Sequence, residues 1–338
     1  MPENLVPYAS GPAAHGARLA VVVGTYNRLD QIKRCIESIR RETKTPTIIY
    51  VTDAGSTDGT EDYLRAAAAP DLVPILAGRK LGQAKAYNDV FKSITAPYAA
   101  WLSDDNEVVN GGLDCAVEIL QREPRIGMVG LKVRDKEGPF VKAPYIGGIS
   151  KAGILNVNQG VLPTSVLRGV DYFSETFGFY GIDPDLTAKV LFSGRDVVYT
   201  REIAIHHYRN WPADKSTPEW AALQQHHDKS ERLYLAKYGA LGRLDAFYWL
   251  RRGAWKAFRE AQGKRFKINS HETFAGLLPR DWHNTIASRH ISLLDPWLTR
   301  GKPYHLRQSV SPLARPVRLP ADPDPAQVLA PVRDAAVS

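Results

Sequence analysis

Ser103-Asp104-Asp105-Asn106 follows the apolar run Tyr98-Ala-Ala-Trp-Leu102, and Glu107 comes next. Adjacent carboxylates at the end of a buried strand repel each other and lose hydration. Both costs fall when a cation sits between them and a ligand. Oxygen donors in this arrangement suit Mg²⁺ or Mn²⁺, which take one or two protein carboxylates and fill the remaining positions with water and phosphate oxygens. The plain alternative is a polar turn, since Asp and Asn are ordinary turn formers. A second acidic group, Asp183-Pro184-Asp185-Leu186, opens a helix with Pro near its first position. Asp183 there reads equally as an N-cap, with the helix dipole holding its pKa down. His206-His207 closes an apolar run from Ile203, and strand alternation sends the two rings to opposite faces.

Short apolar runs and helical stripes alternate around these groups. Leu19–Val23, Thr47–Val51, Leu72–Leu76, Tyr98–Leu102 and Ile126–Leu131 read as strands. Between them, Ile32, Cys35, Ile36 and Ile39 recur at i, i+3, i+4, i+7, with Asn27 placed to cap that helix. Asp58 with Glu61 makes an acidic variant of the capping box for the next one. Helices are also predicted over 82–94 and around Leu113–Leu120. Strand–helix alternation predicts an α/β fold with a mostly parallel central sheet flanked by helices. Ligands of such sheets bind at the carboxyl ends of strands, where the loops after Val23, Val51 and Leu102 converge. The chain has no G-x-G-x-x-G and no G-x-x-x-x-G-K-[ST], which argues against a dinucleotide fold and a P-loop ATPase.

Lys132–Thr164 reads as an irregular loop over the site, residues 216–310 as a helical C-terminal extension, and the Pro-rich stretch 311–338 as a disordered tail. Residues 1–17 read as a flexible N-terminus, leaving 18–215 as the catalytic domain. The 338 residues carry a net charge of +8, which favours acidic partners such as nucleotide phosphates or an anionic membrane. Nucleic acid is the weakest of these partners and is not expected. Both cysteines, Cys35 and Cys115, fall at apolar helix positions, as small hydrophobes do. No stretch approaches the ~20 apolar residues of a membrane span, and no secretory leader is visible. A cytoplasmic location is expected. The basic stretch 243–267, with Trp249 and Trp255 inside it, could lie on the inner face of a membrane or be a basic helix packed on the domain.

Five or six segments together resemble a family 2 glycosyltransferase of the GT-A fold. Val-Val-Gly-Thr25-Tyr26-Asn27-Arg28 resembles its opening strand and nucleotide-binding turn. Thr52-Asp53-Ala-Gly-Ser-Thr-Asp-Gly-Thr60 resembles its D-x-G-S-x-D-G-T element, and Gly82-Gln-Ala-Lys85-Ala-Tyr-Asn88 its G-x-x-x-A-x-N helix start. Leu102-Ser-Asp-Asp105 resembles its Asp-rich metal motif, and Gly181-Ile-Asp183-Pro-Asp185-Leu186 its G-E-D-x-D-L segment. Ser103 and Ile182 stand where many members carry acids.

The resemblance implies an inverting, metal-dependent transfer of a sugar from a nucleotide diphosphate, UDP or dTDP first, to a hydroxyl of a glycan or lipid-linked acceptor in surface polysaccharide synthesis. It implies Asp105 and His206 as ligands of Mn²⁺ or Mg²⁺. Thr25, Asn27, Arg28, Asp53, Gly82, Lys85, Asn88 and Asp104 would bind the nucleotide. Asp183 would be the general base, with Asp185 second in line. Two other readings stand beside it: a nucleotide-sugar or glycan-binding protein with a decayed site, and a nucleotidyltransferase, for which no Gly- and Arg/Lys-rich triphosphate loop is found.

Overall fold

The computed structural model describes residues 16–137, 150, 154–177, 181–209, 214, 216–243, 257, 291–293, 299, 301–310 and 319–330. Strands and helices alternate from the start: β1 (Leu19–Thr25), α1 (Leu29–Glu42), β2 (Thr47–Asp53), α2 (Thr60–Ala67), β3 (Leu72–Leu76), α3 (Gln83–Phe91) and β4 (Tyr98–Ser103). β1 is apolar on both faces because both are covered. Ala20 and Val22 enter one apolar layer, and Leu19, Val21 and Val23 the other. α1 lays its predicted stripe of Ile32, Cys35, Ile36 and Ile39 on the second layer.

β1 lies parallel between β2 and β4, and β3 extends the sheet beyond β2. The registers align the carboxyl ends, with Thr25 opposite Asp53 and Gly24 opposite Ser103. The acidic run therefore ends beside the first two loops rather than elsewhere on the sheet. Then come β5 (Asn106–Val108), α4 (Gly112–Arg122), β6 (Ile126–Glu137), β7 (Gly160–Pro163), α5 (Thr164–Gly169), α6 (Ile182–Phe192), β8 (Asp196–Tyr208) and α7 (Pro218–Arg243). Two more strands, β9 (Ile291–Leu293) and β10 (Tyr304–Val310), complete an order β3-β2-β1-β4-β7-β6-β8-β10-β9, with β5 paired to β8. This is the expected α/β architecture, with helices flanking a sheet whose first half is parallel.

Several sequence expectations change. Asn27 does not cap α1: it sits at φ 51° and its Oδ1 accepts from the Thr57 N–H at 2.7 Å. Asp58 serves instead, its Oδ2 accepting from the Leu29 N–H at 3.0 Å and its Oδ1 from the Thr60 N–H at 3.1 Å. One carboxylate thus starts two helices and ties the first two loops together. The 132–164 region is not uniformly irregular, since β6 continues to Glu137 and β7 pairs antiparallel with β4 and β6. The extension is not only helical, because β10 pairs with β8 in the same sheet.

The tail is ordered over residues 319–330, with Leu319, Val328 and Leu329 packed on the first apolar layer. Nearly all of the basic stretch 243–267 lies outside the described residues. No helix among the described residues is long and apolar enough to cross a membrane. Cys35 is buried, Cys115 is half-buried, and both are free thiols.

Candidate active site

A cleft of about 560 Å³ opens at the carboxyl ends of β1, β2 and β4. Thr25, Tyr26 and Arg28 line it from the first loop, Thr52 and Ala54 from the second, and Arg79, Lys80 and Gly82 from the third. Asp104 and Asp105 form its floor, and Asp183, His207 and Arg209 close the far side. The convergence predicted from topology is therefore met.

Both floor carboxylates are buried and held differently. Asp104 Oδ2 accepts from the Thr25 hydroxyl at 3.0 Å, and its Oδ1 accepts from Arg28 Nη1 at 2.9 Å. Burial outweighs these partners and pushes Asp104 up to about 6. Asp105 also suffers from burial, but His207, Arg28 and Arg209 around it win, and its carboxyl stays below the usual range. Arg28 Nη1 lies 3.3 Å from Asp105 Oδ2, so one guanidinium bridges the pair. Thr25, Arg28, Gly82 and Asp104, expected to bind the nucleotide, thus line one cleft.

The histidine expectation is reversed. His207, not His206, faces Asp105, with Nε2 3.2 Å from Oδ1. β5 pairs antiparallel with β8, placing His206 opposite Glu107, and the two side chains approach to 3.5 Å away from the cleft lining. Strand alternation separates the two rings, and the β5–β8 pairing, which the local sequence does not show, decides which one turns inward. Asp105 with His207 gives one carboxylate and one imidazole. Among the described residues no group of three or more His, Cys, Asp or Glu forms a metal cage. The donors fit an ion completed by diphosphate oxygens and water, and the imidazole shifts the preference from Mg²⁺ toward a transition ion such as Mn²⁺.

Asp183 is neither the N-cap nor a carboxylate held down by the dipole. Gly181, at φ 90°, precedes α6, and no side chain caps the helix. Asp183 therefore falls within the first turn and lines the cleft, with its Oδ1 buried and unpartnered. Burial pushes its carboxyl well above the usual value, only partly offset by the Trp101 indole. Asp185 is corrected as the second base. It is fully buried and turned away, with Oδ1 accepting from Lys237 Nζ and Tyr238 Oη, each at 2.6 Å.

Four nucleotide-binding expectations also lie off the cleft. Lys85 pairs with Asp89 one helical turn on, at 2.9 Å. Asn88 clamps the Phe173 backbone from both sides, donating to its carbonyl at 2.9 Å and accepting from its N–H at 3.0 Å. Asp53 spends both oxygens on its own loop, accepting from the Gly55 and Ser56 N–H groups and the Ser56 hydroxyl. Asn27, as described, ties two loops. None of these four lines the cleft.

Two further residues line the cleft: Arg209, outside every motif, and Tyr26, inside the nucleotide-binding turn but given no role of its own. Arg209 is two residues beyond His207, on the same side of the chain by strand alternation, and that spacing could have found it. Tyr26 is 40% exposed, with Lys80 Nζ 3.9 Å from its ring centroid.

The model of glycosyl transferase family 2 matches residues 20–168, the segment that builds this floor and three of its loops. Residues 20–168 are thus similar to a family 2 glycosyltransferase domain. An uncharacterised glycosyltransferase of Nostoc sp. is 27% identical over 33% of this chain and 35% of its own. An N-acetylglucosaminyl-diphospho-decaprenol L-rhamnosyltransferase of Mycobacterium tuberculosis is 28% identical over 36% of this chain and 42% of its own. The match thus spans less than half the length of these curated relatives. The mannosyltransferase PcManGT from Pyrobaculum calidifontis, solved with GDP-Man and Mn²⁺, superposes with a TM-score of 0.51 at 19% identity, covering 70% of this chain and 67% of that one. At that identity the likeness concerns the fold, which is GT-A.

Proposed function

We propose that this protein is an inverting, metal-dependent glycosyltransferase. It moves a sugar from a nucleoside diphosphate to a hydroxyl of a glycan or lipid-linked acceptor. The observation that carries the reading is Asp183: a half-buried side chain with one buried, unpartnered carboxylate oxygen and a raised pKa, lining the same cleft as Asp104, Asp105 and His207. A nucleotide-binding module has no use for such a group, whereas a general base does.

The acceptor hydroxyl donates to Asp183, which takes its proton as the oxygen attacks the anomeric carbon. The bond from that carbon to the diphosphate breaks, and the nucleoside diphosphate leaves with the electron pair. A single displacement with no enzyme nucleophile inverts the configuration. Asp105 and His207 would hold the divalent ion, which when bound neutralises charge on the leaving diphosphate. Arg28, Arg79, Lys80 and Arg209 ring the cleft with positive charge for the same anion. Tyr26 offers a partly exposed aromatic face at the rim, suited to a nucleobase.

The Mycobacterium tuberculosis relative, by its name, acts on a diphospho-decaprenol glycan, and this supports a lipid-linked acceptor. Such an acceptor would place the enzyme at the inner face of a membrane, with the basic stretch 243–267 as its contact. Incubation with UDP-, dTDP- and GDP-sugars and Mn²⁺, with release of nucleoside diphosphate as readout, tests the assignment. Release from one donor by wild type, lost in Asp183→Asn, is expected. Equal release by that variant would remove Asp183 from the chemistry.

A further inference from the structure

Asp135 lies outside the cleft lining, yet it touches two residues that form it. Its side chain is fully buried on β6. Parallel pairing of β6 with β8 sets Asp135 directly opposite His207. Oδ1 lies 3.0 Å from His207 Nδ1, and Oδ2 forms an ion pair with Arg209 Nε at 3.3 Å. His207 then turns its other nitrogen toward Asp105 at 3.2 Å. Arg209 Nη2 also approaches His207 Nδ1, at 3.5 Å.

A buried carboxylate is a poor way to stabilise a sheet, because desolvation cancels most of the attraction it gains. It is a good way to fix an imidazole. With an ion between Nε2 and Asp105, a carboxylate on Nδ1 keeps the ring proton on Nδ1 and leaves the Nε2 lone pair for that ion.

We propose that Asp135 is a positioning residue for both cleft groups. One oxygen sets the tautomer and ring plane of His207 so that Nε2 serves as a ligand beside Asp105. The other holds Arg209 toward the diphosphate. This rests on the metal-dependent reading above, and the test separates the two.

Binding of Mn²⁺ alone to the full chain is followed by loss of the free-ion EPR signal, in wild type, Asp135→Asn, His207→Ala and the double variant. Asp135→Asn weakens binding about ten- to a hundredfold when made in wild type. Made on His207→Ala, it changes the affinity less than about twofold, because Asp135 acts through the missing ring. A general packing role would cost the same in both backgrounds and would overturn the proposal. So would wild-type affinity in Asp135→Asn while His207→Ala loses the ion, a result that leaves the metal reading intact. No binding of Mn²⁺ by wild type overturns both.

If Asp135→Asn does not fold, the imidazole ¹⁵N spectrum of wild type decides, taken where the ring is neutral and assigned by the signal lost in His207→Ala. Protonation at Nδ1 is expected, and protonation at Nε2 overturns the proposal.

Discussion

Asp183 decides between an enzyme and a binding module, and its prediction follows from one carboxyl. Asp183→Asn keeps the shape and removes the proposed base, so transfer should fall by about 10²–10⁴-fold while nucleotide affinity is retained. Calorimetry of nucleoside diphosphate binding beside the rate assay checks both halves. The raised pKa also sets opposite trends with pH. An unfolded Asp titrates near 3.9, and the folded group well above its ordinary value. Between the two, the folded chain holds a proton that the unfolded chain has lost. Stability therefore falls as pH rises through that interval, while activity rises because only the carboxylate accepts a proton. Asp183→Asn should flatten that part of the stability curve, measured by denaturant midpoints across pH. The motif made Asp183 legible in the sequence, but its burial was not. Nothing local announces that Gly181 turns the helix start so that the carboxyl enters the cleft instead of capping.

At the scale of elements, the cleft depends on loops approaching closely. Gly55, at φ +85°, would place a Cβ 2.7 Å from the carbonyl carbon and oxygen of Gly78. Gly55→Ala forces the second and third loops apart and should weaken nucleoside diphosphate affinity about tenfold or more with little change in the denaturant m-value, since it strains a rim rather than the core. The parallel half of the sheet was legible because each strand is a short apolar run bounded by turn residues, and α1 because its stripe has the helical period. β7 was not: four residues with Gly and Pro at its ends are held by partners on β4 and β6 that are distant in sequence. The end of β6 was lost for a related reason. Polar residues after Leu131 read as loop, and that hid Asp135 opposite His207.

Across the whole molecule, a polar cluster joins four distant segments around α6. Lys237 on α7 lies 2.6 Å from Asp185 on α6 and 2.5 Å from Asp322 in the C-terminal segment. Ser174 and Thr176 also donate to Asp322. Composition marked that segment as disordered because prolines interrupt helices and strands, but Pro325 instead opens a four-residue helix, Pro325–Val328, and the residues before it form a strap. It needs only a few anchors, here Leu319, Asp322 and Leu329. Lys237→Met strands the fully buried Asp185 without its closest cation and should cost about 3–5 kcal/mol of stability, read from urea midpoints.

We propose that a single cleft holds a nucleoside diphosphate on a metal bound by Asp105. Thermal unfolding with UDP, GDP, dTDP and CMP, each with and without Mn²⁺, tests it in wild type and Asp105→Ala. Mn²⁺-dependent stabilisation by one diphosphate in wild type, and its loss in the variant, are expected. Stabilisation by none of them, or the same shift in Asp105→Ala, would contradict it.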